Sequence, residues 1–311
     1  MENANLSKVQ QSIAAVQEKN SEDLLSKENV VGYGIGKKTS NGKTSSKDSL
    51  IVFVTAKVDV DNLSPSDLVP SKIGDIETDI VEVGQVFAQS DPSLKKKVRP
   101  AEGGYSVGHY KITAGTLGTC VVDRNPAPGV PKRYYILSNN HVLANSNNAN
   151  IGDPIYQPGP YDGGTKKCTI AKLARFVPIQ FNNNRCNYVD AAIAEGDLCD
   201  LDREIYWSGY VNEVSWAKVG DILHKTGRTT GHTTGKVLAI NATINVNYGG
   251  GKIGKFCRQI ITTGMSAGGD SGSVTLNEQG QGVGLLFAGS PTVTIHNHLP
   301  YVMSFLNIKL H

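Results

Sequence analysis

The sequence predicts a mainly β protein in which a small α+β domain precedes two β-barrels. The 311 residues include 34 glycines, and from Gly103 onward short apolar runs alternate with clusters of Gly, Asn and Pro. This sequence pattern is typical of many short antiparallel strands. Residues 1–88 differ, because a helical period and several apolar runs occur together there. A chain of this length has room for two or three domains.

The N-terminal domain is predicted from local patterns. Residues 5–27 carry apolar side chains at near-helical spacing and predict a helix. Strands are predicted at 30–36 and 50–54, joined by a polar segment in which Asn41-Gly42 is a good hairpin turn. Residues 76–83 at first alternate polar and apolar side chains, as a half-buried strand does. No catalytic set occurs in residues 1–88, so we expect regulation, scaffolding, substrate presentation or contact within a homo-oligomer.

Residues 89–102 are predicted to be a linker. Pro92 and the charge run from Lys95 to Arg99 argue against a packed element. The simplest interpretation of this run is a solvated connector, and a self-cleavage site is the alternative.

The remaining chain, 103–311, is predicted to form the two barrels, at about 103–200 and 205–297. The apolar runs that predict its strands lie at 113–122, 134–138, 188–194, 219–247 and 282–287. Residues 298–307 predict a short C-terminal helix.

Charge and cysteine content restrict the possible partners and the compartment. The 31 basic and 28 acidic residues give a net charge of +3, which gives no reason to expect nucleic acid or an anionic membrane as a partner. No apolar run is long enough for a membrane-spanning helix, and no signal-peptide pattern is present. The five cysteines are odd in number and include no CxxC pair, which predicts neither a disulfide framework nor a zinc knuckle. These observations favour a cytoplasmic protein.

Three residues supply the groups that amide hydrolysis needs. Ser271 lies among glycines in Gly264-Met-Ser-Ala-Gly-Gly-Asp-Ser-Gly-Ser273, which suggests a loop that presents a hydroxyl. His141 follows the apolar strand 134–138, where an imidazole could act as the base. Asp190 lies among apolar residues, where a carboxylate is costly to bury without a partner. Asp197 and Asp200 are the alternative acids.

The other histidines suggest no further chemistry. His224 and His232 flank a Gly-Arg-Thr-Thr-Gly turn and are interpreted as structural. His296 and His298 would give a metal site only two ligands, so we expect no metal.

These segments resemble those of chymotrypsin-like serine proteases. The stretch 264–273 is similar to the nucleophile loop, 138–141 to the catalytic-histidine segment and 190–193 to the aspartate strand, in the same chain order. The segment 225–231 resembles a hairpin of the bacterial streptogrisin and α-lytic branch. The whole chain resembles bacterial relatives of the plant NARROW LEAF trypsin-like proteases.

This resemblance implies a serine endopeptidase that cleaves protein or peptide substrates through an acyl-enzyme and needs no cofactor. His141 would be the general base, Asp190 would orient it and Ser271 would be the nucleophile. The backbone N–H groups of Gly269 and Ser271 would form the oxyanion hole. A protease fold that serves only binding or assembly is the alternative.

The resemblance also implies a substrate pocket with Met265 at its base and Phe287 and Gly289 in its wall. Since none of these is acidic, we expect a hydrophobic or small side chain before the scissile bond rather than Lys or Arg. In animal digestive relatives the residue matching Asp270 pairs with a new N-terminus. No matching Ile-Val-Gly-Gly start occurs here, so we expect Asp270 to have another partner.

Overall fold

The chain divides into two compact units, Met1–Gln89 and Ser90–His311. The computed structural model describes residues 6–40, 43–84, 86, 93–112, 114–126, 128–129, 131–182 and 185–311. The first unit contains one helix and four strands: α1 (Lys8–Ser26), β1 (Val30–Ser40), β2 (Lys43–Val54), β3 (Lys72–Ile73) and β4 (Ile76–Glu82).

The first unit is an α+β layer structure. Ser7 caps α1 in a capping box with Gln10, which satisfies backbone N–H groups at the start of the helix. Two apolar residues of α1, Ile13 and Leu24, are buried against a strip of β2 that includes Leu50. The sheet order is β1-β2-β4-β3, with β2 and β4 parallel. The predicted helix and strands are therefore present, and the Asn41-Gly42 turn lies outside the described residues.

The second unit is almost entirely β. Its strands are β5 (Ala101–Gly103), β6 (Ser106–His109), β7 (Gly115–Thr116), β8 (Thr119–Asp123), β9 (Tyr134–Ser138), β10 (Pro154–Tyr156), β11 (Thr169–Phe176), β12 (Ala192–Gly196), β13 (Leu201–Ile205), β14 (Gly209–Tyr210), β15 (Ile222–Gly227), β16 (Gly231–Asn247), β17 (Ile253–Thr263), β18 (Val274–Asn277), β19 (Gly282–Gly289), β20 (Val293–His298) and β21 (Ile308–Leu310). Two short helices complete it, α2 (Asn140–Leu143) and α3 (Leu299–Phe305).

The strands of this unit form two large structures and a small connecting sheet. The first is an eight-stranded sheet with the order β21-β8-β9-β12-β11-β10-β6-β7. The second is a closed barrel, β15-β16-β17-β20-β19-β18. In a three-stranded sheet, β14-β13-β5, the strand that opens the unit, β5, pairs with β13, which directly precedes β14 and the barrel strands. One apolar cluster includes Leu137 of the sheet together with Val274 and Leu285 of the barrel, so these two structures share a core.

The first of the two predicted barrels differs from a closed barrel. The predicted strand 113–122 is split into β7 and β8, and β7 has only two residues. The N–H of Thr116 in β7 donates to the carbonyl of Ser271 at 2.7 Å. This edge of the sheet therefore binds the loop that carries Ser271.

The predicted linker is wrong for residues 93–102. Leu94 and Ala101 are buried, and the Val98 N–H donates to Gln157 Oε1 at 3.0 Å. The charge run between them is thus part of the second unit, because its backbone finds acceptors there. Residues 89–92 lie outside the described residues.

The prediction that the cysteines form no disulfide is also wrong. Cys186 and Cys257 are bonded, 71 residues apart. Among the described residues the free cysteines are Cys120, Cys168 and Cys199. Disulfides persist mainly in oxidising compartments, so the cysteine content no longer supports a cytoplasmic location, which stays a prediction.

The helices of the described segments are short or polar. None is long and apolar enough to cross a membrane.

Candidate active site

His141 and Asp190 form a hydrogen-bonded pair in which only the carboxylate is fully buried. The Nδ1 atom of His141 lies 2.6 Å from Asp190 Oδ2, and the His141 backbone N–H donates to Oδ1 at 3.1 Å. Asp190 is fully buried, whereas the His141 side chain is 23% exposed. An ionised carboxylate can only accept, so the proton lies on Nδ1 and the Nε2 lone pair is left to take a proton from elsewhere.

The strand register explains why these two residues meet. His141 lies in α2, which starts directly after β9, and Asp190 directly precedes β12. Because Ala192 of β12 pairs with Ser138 of β9, both residues lie at the same end of adjacent strands. The alternative acids Asp197 and Asp200 follow the other end of β12, and Asp200 lies 3.7 Å from Arg99 Nε.

Two asparagines fix the backbone of Asp190. Asn139 Nδ2 donates to the Asp190 carbonyl at 2.7 Å. The Asp190 N–H donates to Asn297 Oδ1 at 2.9 Å, and Asn297 itself donates to Gln259 at 2.7 Å. The backbone of Asp190 is therefore held from the sheet side and from the barrel side.

The Ser271 loop is a tight turn whose shape requires two of its glycines. Gly269 and Gly272 have φ of +101° and +100°, which is unfavourable for residues with a side chain. A Cβ on Gly269 would lie 2.4 Å from Thr229 Oγ1, and a Cβ on Gly272 would lie 2.1 Å from Ser138 Oγ. The second contact places the loop against the end of β9, three residues before His141.

A further glycine allows Ser271 and the segment of His141 to lie close together. A Cβ on Gly115 would lie 2.4 Å from Val142 Cγ2 and 2.9 Å from the Ser271 carbonyl oxygen. Within the described part of the chain, no hydrogen bond joins the Ser271 hydroxyl to the His141 ring. The structure thus brings the two segments together without the hydrogen bond between serine and imidazole. In ligand-free enzymes such a catalytic hydrogen bond often forms only when substrate binds.

The loop also leaves two backbone donors available. Within the described residues the N–H groups of Gly269 and Ser271 have no acceptor, whereas those of Asp270, Gly272 and Ser273 do. Two unpaired N–H groups beside a hydroxyl are what an oxyanion hole requires.

Comparisons with known proteins find serine proteases that are similar to part of the chain. No family model matches the chain. Glutamyl endopeptidase 2 of Streptomyces griseus is 40% identical over 87 residues, covering 28% of this chain and 38% of that protein. Serine protease 1 of Streptomyces fradiae is 40% identical over 95 residues, covering 30% of this chain and 22% of that protein. The chain therefore spans less than half the length of these curated relatives.

Over less than a third of its length, the chain is similar to these two proteases.

Solved structures of such proteases are also similar to it. Thermobifida fusca protease A gives a TM-score of 0.48 at 16% identity, covering 67% of this chain and 97% of that one. A glutamic-acid-specific serine protease, which uses a histidine triad in substrate binding, gives 0.49 at 18% identity and covers 68% of this chain and 100% of that one.

Asp270, in the Ser271 loop, has an internal partner. Lys225 Nζ lies 3.4 Å from Asp270 Oδ2, and both side chains are fully buried. The carboxylate also accepts from the N–H of Ala267 and Thr229, and from the N–H and Oγ1 of Thr230. Burial lowers the pKa of Lys225 to about 8, and the charge of Asp270 opposes that shift. The expectation of another partner for Asp270 is confirmed, and sequence reasoning did not identify Lys225 as that partner.

A pocket of about 380 Å³ adjoins Ser271. Its lining comes from the Ser271 loop and from β19 with the two residues that follow it. The loop contributes Ser266, Ala267, Gly268 and Ser271, and the other segment contributes Leu286, Ala288, Gly289, Ser290 and Pro291. None of these side chains carries a formal charge. Gly289 lies where the sequence predicts, in the pocket wall.

Met265 and Phe287 do not line this pocket. Both are buried, and Phe287 packs on Phe256 with ring centroids 4.6 Å apart. Side chains alternate along a strand, so Phe287 faces the barrel core while its neighbours Leu286 and Ala288 line the pocket.

The four histidines that the sequence analysis interprets as structural or as too few for a metal site, His224, His232, His296 and His298, lie in barrel strands. His232 Nε2 lies 3.3 Å from His224 Nδ1, and burial lowers the pKa of His232 to about 4. His296 is fully buried beside Thr262, and burial lowers its pKa to about 3. In the described ranges no group of three or more His, Cys, Asp or Glu side chains is placed to hold a metal ion.

Sequence reasoning also missed Tyr248. Its hydroxyl donates to Asp190 Oδ2 at 2.7 Å. The one local signal is a bulky aromatic residue directly before three glycines, which marks the tip of a hairpin but not what the hairpin contacts.

Proposed function

We propose that the protein is a serine endopeptidase that cleaves protein or peptide substrates. Ser271 attacks the scissile carbonyl while His141 Nε2 takes its proton and later delivers it to the leaving amine. Asp190 holds the imidazole tautomer and stabilises the imidazolium that forms. The observation that carries the proposal is the hydrogen-bonded His141–Asp190 pair, with its buried carboxylate, beside a serine loop with two unpaired backbone donors.

The proposed oxyanion hole is formed by the N–H groups of Gly269 and Ser271. Negative charge develops on the carbonyl oxygen in the transition state, and donors that are already oriented stabilise it without reorganising. The acyl-enzyme on Ser271 is then hydrolysed by water, with His141 again acting as the base.

We propose a small or apolar residue before the scissile bond. The pocket beside Ser271 has only neutral side chains, with Leu286 and Ala288 in one wall. A Lys, Arg or Glu side chain would enter it without a counter-charge, which is unfavourable. The glutamyl specificity named for one relative therefore has no matching cation among the lining residues.

The test is reaction with a fluorophosphonate probe, followed by cleavage profiling of a peptide library. Wild-type protein is expected to react once per chain, at Ser271, and to lose the reaction in Ser271→Ala and His141→Ala. Ser304→Ala, which changes an exposed serine of α3, is the matched control and should still react. Absence of labelling in folded wild-type protein would favour the alternative of a binding or scaffold protein.

A further inference from the structure

The Asp190 carboxylate has three hydrogen-bond donors, and one of them comes from outside the catalytic pair. Two are the backbone N–H and Nδ1–H of His141. The third is the hydroxyl of Tyr248, 2.7 Å from Oδ2, the same oxygen that the imidazole binds. Within the described residues, His141 and Tyr248 are the titratable groups that contact this carboxylate. The Tyr248 bond therefore ties the carboxylate itself to the barrel.

We propose that Tyr248 is a positioning residue of the active site, which fixes the Asp190 carboxylate and, through it, the orientation of His141. This role presupposes the proposed peptidase activity. Tyr248 lies outside the four short segments 138–141, 190–193, 225–231 and 264–273.

The β16–β17 hairpin explains how a residue of the barrel reaches Asp190. Tyr248 is the first residue after β16, and its N–H donates to the Lys252 carbonyl at 2.9 Å. The three glycines of the tip, 249–251, have φ of +80°, +56° and +76°. Such a run of positive φ is accessible mainly to glycine. The tip therefore turns sharply enough to leave Tyr248 facing the sheet.

The segment that precedes Asp190 holds this hairpin in place. Asn182 N–H donates to Ile253 at 2.8 Å and Asn187 N–H donates to Lys255 at 2.8 Å. The disulfide between Cys186 and Cys257 joins the same two segments. The hairpin and the approach to Asp190 are thus one connected structure, and the Tyr248 hydroxyl has little freedom to leave the carboxylate.

Aromatic contacts fix the Tyr248 ring itself. Its centroid lies 5.3 Å from that of Phe181 and 6.1 Å from that of Phe256. It lies 5.9 Å from the His141 ring in an edge-to-face arrangement. Such contacts favour a single ring orientation. The hydroxyl direction is therefore set by packing rather than by the hydrogen bond alone.

The charge state of Tyr248 suits a permanent donor. Burial, and then the charge of Asp190, raise the pKa of Tyr248 well above its usual value. The phenol therefore stays protonated throughout the range in which an imidazole works as a base. Its bond draws charge toward one side of Oδ2 and prevents the carboxylate from rotating away from Nδ1.

The experiment compares Tyr248→Phe with Tyr135→Phe. Tyr135 donates to Asp123 Oδ2 at 2.8 Å, so the control removes the same kind of bond from the other end of the strands. In Tyr248→Phe we expect kcat/KM to fall about tenfold with KM changed less than about twofold, the loss expected for one bond to a charged group. Tyr135→Phe should keep wild-type kinetics.

Two further readouts separate positioning from packing. Without the Tyr248 donor more charge faces the imidazolium, so the acidic limb of the kcat/KM profile should move up by roughly half a pH unit. The proton between His141 Nδ1 and Asp190 should also change its chemical shift in NMR spectra of Ser271→Ala protein when Tyr248→Phe is added.

The outcomes keep this role distinct from the proposed function. Active wild-type protein with an unchanged Tyr248→Phe profile and an unchanged proton resonance would overturn the role and leave the peptidase proposal standing. Wild-type protein without Ser271-dependent turnover would refute the peptidase proposal. The NMR comparison, which needs no turnover, would then still decide whether Tyr248 sets the His141–Asp190 bond.

Discussion

Replacing Lys225 with Met tests how strongly the buried charge pair holds the nucleophile loop. The N···O distance is 3.4 Å and both side chains are fully buried. At an effective dielectric constant of about 20, the attraction at that distance is about 5 kcal/mol before desolvation. Removing one partner of a buried pair typically costs about 3–5 kcal/mol. Asp270 keeps four other donors after the change, so we expect the lower end, about 3 kcal/mol.

A double-mutant cycle isolates this interaction. Urea unfolding and kcat/KM would be measured for wild-type protein, Lys225→Met, Asp270→Asn and the double variant. We expect a coupling free energy of about 2 kcal/mol or more, because each single change leaves a buried charge without its opposite charge. Lys225→Arg, which keeps the charge, should lose less than Lys225→Met. A coupling below about 0.5 kcal/mol, the usual additivity error, would refute the view that the pair stabilises the loop.

Three further predictions follow from the same unit. Gly269→Val should lower kcat at least about a hundredfold in steady-state kinetics, which is the cost of one oxyanion donor. The reason is that a Cβ at this position would lie 2.4 Å from Thr229 Oγ1 and that φ is +101°. Opening the disulfide by Cys186→Ser with Cys257→Ser should lower the free energy of unfolding by up to about 4 kcal/mol, since it closes a span of 71 residues; denaturant melts check it. Activity should decline with a midpoint at about pH 8 as Lys225 loses its proton, which a pH–kcat/KM profile would show.

Each of these three predictions has its own control or contradicting result. Wild-type turnover in Gly269→Val would exclude the oxyanion assignment. An unchanged melt in the double serine variant would show that the hydrogen bonds between the two segments suffice. For the pH prediction, Lys225→Arg should lack the alkaline decline.

The pH dependence of the free energy of unfolding provides a second check on the role of Lys225. The unfolded chain keeps this proton to about pH 10.5, whereas the folded chain releases it at about pH 8. Between those values the unfolded state binds more protons, so the contribution of Lys225 to the free energy of unfolding rises with pH. Between about pH 8 and pH 10.5 activity should therefore fall, although the loss of the Lys225 proton does not destabilise the fold in that range.

The contacts of the site that follow from local patterns could be predicted from the sequence. An apolar strand before His141 and apolar neighbours around Asp190 indicate adjacent strand ends, and the pairing of β9 with β12 confirms this. The glycines around Ser271 indicate a strained turn, and two of them have positive φ.

The remaining contacts depend on pairings between distant segments. Tyr248 meets Asp190 across 58 residues, and Cys186 meets Cys257 across 71; no local periodicity encodes either. The pocket error at Phe287 has a different cause. The resemblance places the pocket wall along β19 but does not fix which face of the strand lines it, and a shift of one residue exchanges pocket and core.

The support of Asp190 by the barrel has a consequence for synthesis on the ribosome. The carboxylate and its backbone are held by Tyr248 and by Asn297, which lies 107 residues later. β21 completes the edge of the sheet later still, beside β8. A nascent chain that has released His141 and Asp190 therefore lacks the partners that align them. Under the proposed function, proteolytic competence appears only after nearly all of the second unit has emerged, which protects the translation machinery without a separate inhibitor.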